Sequence, residues 1–324
     1  GKKWAWLGGV FAVLGAICAF GIGNLTQINS IATSMSSAVT TIAPSTVGQE
    51  RTIALIAGII MALVCFVTYI GGIKRIGEVT EKLVPVMAII YIVSSLILIF
   101  IHIGSFPEII RQIVVGAFNP SAIVGGALGI GIIEAMKRGV SRGVFSNEAG
   151  LGSAPMAHAA AETPGPIQQG LYGIFEVFAD TTVICTMTSL VILMSGTPIE
   201  YGKPAGVLLT NAAFAMTYGK YASVVVAIGL SLFAGSTILS WGLYGTRCAE
   251  YLFGAKVIKP YQILFCIIVI IGSVMELSLA WDIADTLNAC MAIPNLIGLL
   301  LLSPVVIKLT KEYSAEHFPE KQKA

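Results

Sequence analysis

Long apolar runs, separated by short polar segments, make up most of this chain. A helix needs about 20 mostly apolar residues to cross the roughly 30 Å hydrocarbon layer of a bilayer. Eight runs meet this requirement: 4–23 with a polar extension to 37, 52–71, 83–103, 121–137, 168–196, 222–245, 261–280 and 285–308. The pattern predicts an all-α membrane protein, a polytopic bundle of about eight transmembrane helices.

Two further segments, 105–118 and 206–219, are apolar at helical spacing but too short or too mixed to span. An amphipathic helix of this kind commonly lies at a membrane surface. We expect short helices over the outer mouth of the bundle. They are either lids over a cavity or ordinary interfacial connections.

The composition supports the membrane assignment and narrows the chemistry. Hydrophobic residues make up 56% of the chain, charged residues make up 11%, and the mean hydropathy is +0.87, which is outside the range of soluble domains. The six cysteines show neither paired nor metal-ligand spacing. The net charge of +2 indicates no nucleic-acid partner. The expected surroundings are lipid, and no organic cofactor is predicted.

The basic residues predict the orientation, because Lys and Arg accumulate in cytoplasmic loops. With eight spans, fifteen of the 19 Lys and Arg residues fall on the side that holds both chain ends, and four fall on the other side. The four are Arg51, Arg111, Lys203 and Lys220. We therefore predict that both ends of this chain lie in the cytoplasm, with the protein in the cell (inner) membrane.

Polar residues on the first span indicate a face that looks into the bundle. Asn24, Gln27 and Ser34 recur at spacings of three and seven residues, which places them on one side of a helix. Amides inside a membrane face a partner helix or a wet cavity. Hydrogen bonding between helices is the leading explanation for Asn24. For Gln27, substrate contact is an equal alternative.

The fourth run carries glycines where a spanning helix favours strong helix formers. In the sequence ALGIGII, Gly129 and Gly131 flank Ile130 near the middle of the run. A helix that unwinds there frees carbonyl and amide groups for a ligand. The alternative is close helix packing through small residues, which fits Gly125 and Gly129 at GxxxG spacing. We favour a break at 129–131.

The segment after this run, 143–166, is rich in Gly, Ser and Pro and is predicted to be an ordered cytoplasmic loop. Glu148 and His158 lie ten residues apart without a nucleophile or a metal-ligand companion. This spacing does not indicate a catalytic pair, and the protein is predicted not to be an enzyme.

The fifth and sixth runs carry the remaining polar residues at membrane depth. Glu176 and Asp180 share one helix face at i and i+4, and buried carboxylates of this kind act as cation ligands, proton relays or gate ion pairs. Pairing with Arg138 or Arg142 is an alternative. In the sixth run, the adjacent hydroxyls of Ser236 and Thr237 are suitable sodium ligands, although such hydroxyls also bond back to their own helix. Trp241, one turn later, predicts a cavity wall or core packing.

Three long strings carry a resemblance to a known family. They are AFGIGNLTQINSIA, RGVFSNEAGLGSAPMAHAAAETPGPIQQGLYGIFEVFADTTVICTMTSLVIL and STILSWGLYGTRCAEYLFG. The chain resembles the alanine or glycine:cation symporters, also called sodium:alanine symporters. This resemblance implies the leucine-transporter fold, with two inverted repeats of five helices around a central amino-acid site. It also implies that Gln27, Gly129, Ile130, Gly131 and Trp241 face the amino acid and that Ser236 and Thr237 bind sodium.

Within that fold, residues 1–103 would supply the last three helices of the first repeat, 121–308 the complete second repeat, and 309–324 a cytoplasmic tail. The resemblance implies further helices before Gly1, so we expect the chain to be N-terminally truncated. The implied function is a symporter that uses sodium as its coupling ion to import alanine or glycine by alternating access. The alternatives are a proton-coupled carrier with Glu176 or Asp180 as relay, and a non-transporting membrane scaffold.

Overall fold

A computed structural model of the protein describes residues 2–118, 132–200 and 206–318. Within these ranges the chain is all-helical, and no strand occurs. We number the α-helices in chain order. The long helices are α1 (Ala5–Ile42), α2 (Glu50–Ile70), α3 (Gly72–Ile101), α7 (Pro166–Met194), α9 (Ala222–Phe253), α10 (Ala255–Ser273) and α11 (Leu277–His317). The shorter helices are α4 (Phe106–Phe118), α5 (Ile132–Asn147), α6 (Ala154–His158) and α8 (Val207–Tyr218).

Seven helices in the described part of the chain are long and apolar enough to span a membrane. They coincide with seven of the eight predicted runs, and the prediction of a polytopic helical membrane protein is confirmed. The remaining run, 121–137, lies mostly outside the described residues. Its described end is the first part of α5, which continues as a helix to Asn147.

The centre of the bundle is formed where α1 packs against α9 and α11, with α2 packed on α1 and α10. Its core includes Cys18, Ile22, Trp241, Phe265 and Met291, all at most 1% exposed. Burial of such large side chains between helices depends on close complementary packing, because lipid is as apolar as the core.

The outward faces of the long helices remain apolar and exposed. Leu63 of α2, Phe175 of α7 and Leu300 of α11 are 64%, 66% and 75% exposed. A soluble protein rarely leaves so much apolar surface open, whereas lipid covers it without cost. These faces are consistent with contact with a bilayer.

Both short amphipathic segments are helical as predicted, and they join one apolar cluster. Ile109 of α4 and Phe214 of α8 pack with Leu98 of α3 and Val191 of α7. A hydrogen bond of 3.0 Å joins His102 Nε2 and Thr217 Oγ1 at the same end of the bundle. The two helices therefore cover the ends of α3 and α7. Their role as lids stays a prediction.

Two of the polar residues predicted to share one face of the first span, Asn24 and Ser34, form hydrogen bonds with different neighbouring helices. A π-helical turn, Gly21–Leu25, interrupts α1 and changes the helical register there. Asn24 Nδ2 donates to the Phe265 carbonyl at 2.9 Å, which confirms hydrogen bonding between helices. Asn211 Nδ2 donates to Ser34 Oγ at 3.1 Å. These bonds join α1 to α10 and to α8.

Candidate functional site

A polar cavity of about 290 Å³ lies between α3, α5, α6, α7 and α9. Pockets for drug-sized ligands measure about 300–1,000 Å³, so this cavity suits a smaller molecule. Its lining is Thr80, Val84, Ser146, Asn147, Glu148, Ala154, Ala157, His158, Glu176, Asp180, Ser236, Thr237, Ser240, Trp241 and Tyr244.

One wall of the cavity is a break between α5 and α6, at residues 148–153. Glu148, Gly150 and Gly152 all have positive φ, at 56°, 86° and 92°. Glycine adopts this conformation readily, whereas a glutamate there is strained unless its surroundings hold it. The chain therefore stops being helical at Glu148 and resumes a helix at Ala154.

This broken segment belongs to the ordered loop predicted for 143–166, and it packs against helices of the bundle. The Gly150 carbonyl accepts a hydrogen bond from Asn295 Nδ2 of α11 at 2.9 Å. A Cβ added at Gly152 would lie 2.6 Å from the Phe11 ring of α1. Irregular backbone is tolerated inside a membrane bundle where it is buried in protein or lines a cavity. The predicted cytoplasmic position of this segment stays a prediction.

Arg142 of α5 contacts the first part of α11. Its guanidinium forms an ion pair with Asp285, eight residues after the start of α11, and stacks 4.1 Å from the centre of the Trp281 ring. That end of α11 lies on the outer side in the predicted topology, whereas Arg142 was counted as cytoplasmic. Arg142 also does not pair with Glu176, as one alternative had proposed.

Glu148 contacts the indole that was predicted as a cavity wall. Trp241 Nε1 donates to Glu148 Oε1 at 2.6 Å, and the Ser153 hydroxyl donates to Glu148 Oε2. Trp241 is 1% exposed. Its other side meets α1 so closely that a Cβ on Gly23 would lie 2.0 Å from Trp241 Cβ. The indole is thus held between a glycine and a carboxylate.

The two carboxylates predicted on α7 face the same cavity. His158 Nε2 lies 3.3 Å from Glu176 Oε2. Ser146 Oγ donates to Asp180 Oδ1 at 2.9 Å, and Thr181 Oγ1 donates to Asp180 Oδ2 at 3.1 Å. Glu176 and Asp180 therefore link α7 to α6 and α5. Their role in gating or coupling stays a prediction.

The predicted hydroxyl pair lies on the α9 wall. Ser236 Oγ and Thr237 Oγ1 both donate to the Phe233 carbonyl, at 2.8 and 3.2 Å. Each hydroxyl oxygen keeps lone pairs that a cation can use. Both residues line the cavity that Trp241, Glu176 and Asp180 also line, so five of the predicted site residues are brought together.

Gln27 is placed differently from these five. Its Nε2 donates to the Ile22 carbonyl of its own helix at 3.1 Å, beside the π-helical turn, and it is absent from the described lining of the cavity. The predicted backbone contacts at Gly129, Ile130 and Gly131 lie outside the described residues.

The electrostatic character of the cavity favours cations. Glu148, Glu176 and Asp180 contribute carboxylates, and the described lining contains neither lysine nor arginine. Among the residues that the structure describes, no cluster of three His, Cys, Asp or Glu side chains forms a metal site. A hard monovalent cation, bound by hydroxyls and carbonyls, fits this arrangement better than a transition metal.

The fold and the cavity define a polytopic helical membrane protein with a small cavity that carries three carboxyl groups, beside a broken helix. Comparison with known proteins then identifies the family: the sequence profile of the sodium:alanine symporter family matches residues 1–324. The chain belongs to this family.

Individual relatives agree with this membership. The chain is 44% identical to the sodium/alanine symporter AgcS of Methanococcus maripaludis, over 95% of this chain and 65% of that protein. It is 40% identical to an uncharacterized transporter of Haemophilus influenzae, with the same coverage. It is 36% identical to the amino-acid carrier protein AlsT of Bacillus subtilis, over 96% of this chain and 63% of the relative. The chain thus spans just under two thirds of the length of these relatives.

Glu148 is the site residue that the sequence analysis missed. The available signal was the spacing of Gly150 and Gly152, two and four residues after Glu148. Glycines two residues apart predict turns, and we had assigned them to a loop outside the membrane.

Proposed function

We propose that the protein is a sodium-coupled symporter that imports a small amino acid, alanine or glycine, by alternating access. The observation that carries the proposal is the cavity of about 290 Å³ that a broken helix and the hydroxyls of α9 enclose. The family membership and the sodium/alanine symporter among the relatives support it.

The site offers complementary groups for both proposed solutes. The hydroxyls of Ser236 and Thr237 supply hard oxygen ligands for sodium, and the neighbouring carboxylates make the cavity attractive to a cation. The indole of Trp241 narrows the cavity and favours a small side chain. Gln27 and the backbone of 129–131 are proposed as further contacts to the amino acid.

Sodium bound in this position would favour the state that binds substrate, and its inward gradient would then drive accumulation. The proposed orientation places both ends of this chain in the cytoplasm of a cell with an inner membrane. A fluorescent protein fused after residue 324, which folds in the cytoplasm, tests the orientation of the last helix.

The test of sodium coupling is uptake of radiolabelled alanine by the purified protein in proteoliposomes, with sodium or choline outside. We expect accumulation only with sodium. Equal uptake in the two buffers would refute sodium coupling.

Thr237→Ala sharpens this test, because it removes one proposed ligand oxygen. We expect half-maximal uptake to require roughly tenfold more sodium, the effect of losing about 1.4 kcal/mol of ion binding. Alanine affinity should fall mainly at low sodium. The matched control is Thr310→Ala, which removes the same type of bond, from Oγ1 to the carbonyl four residues earlier, at an exposed position of α11. An unchanged sodium requirement in Thr237→Ala would exclude this residue from the ion site.

Proton coupling is the second candidate, and one observation favours it. His158 and Glu176 lie together in the cavity, with 3.3 Å between Nε2 and Oε2. Uptake that persists without sodium and follows an imposed pH gradient would support this mechanism over sodium coupling.

A further inference from the structure

Glu148 has an unusual backbone conformation. It is the only described residue other than glycine with a positive φ. Its amide donates to the Val144 carbonyl at 3.0 Å, which closes the last turn of α5, and its own carbonyl accepts from the Leu151 amide at 3.1 Å. The residue therefore marks the exact point where the helix stops.

The left-handed backbone of Glu148 turns its side chain toward α9. One carboxylate oxygen accepts the Trp241 indole N–H at 2.6 Å, and the other accepts the Ser153 hydroxyl, directly before α6. A single carboxylate thus bonds the end of the break and the wall of the cavity at once. Each of its two oxygens therefore satisfies one buried donor.

Packing fixes the base of the Trp241 side chain, and the hydrogen bond to Glu148 fixes its ring. The α1 backbone at Gly23 lies against its Cβ and Cγ, and the Tyr244 ring packs edge-on with 5.6 Å between centroids. These contacts restrict the base of the side chain. The indole N–H is bound by Glu148 alone among the described residues, so the carboxylate determines the orientation of the ring.

We propose that Glu148 is a positioning residue of the transport site: its carboxylate binds the broken helix to the indole of Trp241 and thereby sets the width of the cavity. The inference rests on the proposed function. A residue with only a structural role as a cap would stabilise the break without affecting which solute the cavity accepts.

Two consequences follow from the geometry. Loss of the carboxylate should release the ring into the cavity, because the ring and the hydroxyls of Ser236 and Thr237 line the same space. Substrate binding should then weaken more than turnover. In addition, the effect should require the indole N–H, so Glu148 and Trp241 should be coupled in a double-mutant cycle.

The experiment measures sodium-driven alanine uptake for Glu148→Gln, Glu148→Ala, Trp241→Phe and the double variant Glu148→Gln/Trp241→Phe. We expect the KM for alanine to rise roughly tenfold in Glu148→Ala, the upper end of the range for loss of one hydrogen bond. Glu148→Gln keeps an acceptor oxygen and should raise KM by roughly threefold. Maximal rates should change by less than about twofold. The matched control is Glu162→Gln, the same change at an exposed position after α6.

A second readout does not depend on transport. With 5-fluorotryptophan incorporated, ¹⁹F NMR of the detergent-solubilised protein resolves the four tryptophans, and Trp241→Phe assigns the signal of Trp241. We expect Glu148→Gln to shift and broaden that signal, whereas Glu162→Gln should leave it unchanged.

The outcomes separate the inference from the proposed function. If the unmodified protein shows no sodium-driven alanine uptake but the Trp241 signal responds to Glu148→Gln, the function fails and the hydrogen bond stands. If uptake is normal and Glu148→Gln changes neither KM nor the signal, the positioning role is refuted. Additive effects of Glu148→Gln and Trp241→Phe on KM would also refute it.

Discussion

The contact between Gly23 and Trp241 yields the sharpest prediction about packing. A Cβ placed on Gly23 would lie 2.0 Å from Trp241 Cβ and 2.2 Å from its Cγ, whereas ordinary contacts begin at 3.4 Å. The added Cβ would therefore be about 1.4 Å too close to Trp241 Cβ. Gly23 and Trp241 are both buried, so the added methyl must push α1 and α9 apart or rotate the indole.

We expect Gly23→Ala to destabilise the protein by about 3 kcal/mol, at the upper end of the usual cost of overpacking. For a chain of this size that corresponds to a fall of about 6 °C in Tm. The displaced indole should also block the cavity and reduce alanine uptake strongly. Size-exclusion chromatography after heating in detergent measures the apparent Tm, and proteoliposomes measure uptake.

Gly9→Ala is the matched control. Gly9 lies on the same helix, and nothing comes within 4 Å of an added Cβ. Alanine favours a helix over glycine by about 0.5–1 kcal/mol, so this variant should be slightly more stable than the unmodified protein. The difference in Tm between the two variants measures the cost of the clash with Trp241. If Gly23→Ala melts within about 1 °C of Gly9→Ala and transports alanine equally well, the added methyl meets no steric clash. That result would refute the close approach of α1 to Trp241.

Two further predictions concern ion pairs. Arg142→Ala removes both the ion pair with Asp285 and the stacking on Trp281. Because the pair is partly exposed, we expect the protein to lose about 1 kcal/mol of stability, or about 2 °C in Tm. Arg247→Ala removes an ion pair within one helix and should lower Tm by less; an equal fall in the two variants would contradict the role of Arg142 between helices. The Arg111 guanidinium and Gln112 lower the pKa of Glu108 to about 2, so the stabilising charge on α4 is complete above about pH 4.5 and is lost as the pH falls toward 2. Arg111→Gln should raise the Glu108 pKa toward 4.5 in a ¹³C NMR titration, and an unchanged midpoint would contradict this pairing.

Much of the architecture could be predicted because apolar length and helical period are local properties. Seven predicted spans and the two short helices that precede and follow the α5–α7 region were found by these criteria alone. Ser236, Thr237 and Trp241 line one cavity, because residues one turn apart on a helix share a face, and their roles as ligands stay predictions.

The sequence analysis assigned the broken segment that the structure describes to a loop, and its predicted break at 129–131 lies outside the described residues. Both ALGIGII and the segment with Gly150 and Gly152 contain closely spaced glycines, and glycine content marks where a helix can break without showing what will bond the exposed groups. In the structure Asn295 bonds the Gly150 carbonyl and Trp241 bonds the Glu148 side chain, from 145 and 93 residues away along the chain. A local sequence pattern cannot predict contacts between residues so far apart in the chain.

By itself, the sequence determined the membrane class, the spans and the face of α9 that carries the hydroxyls, since each depends on composition or on the helical period. Only the tertiary structure decided that residues 148–153 enter the bundle, that Arg142 meets Asp285, and that Glu148 binds Trp241. The physical reason is that a polar group inside a membrane bundle must be satisfied by a partner. In this protein, those partners lie on helices far apart in the chain.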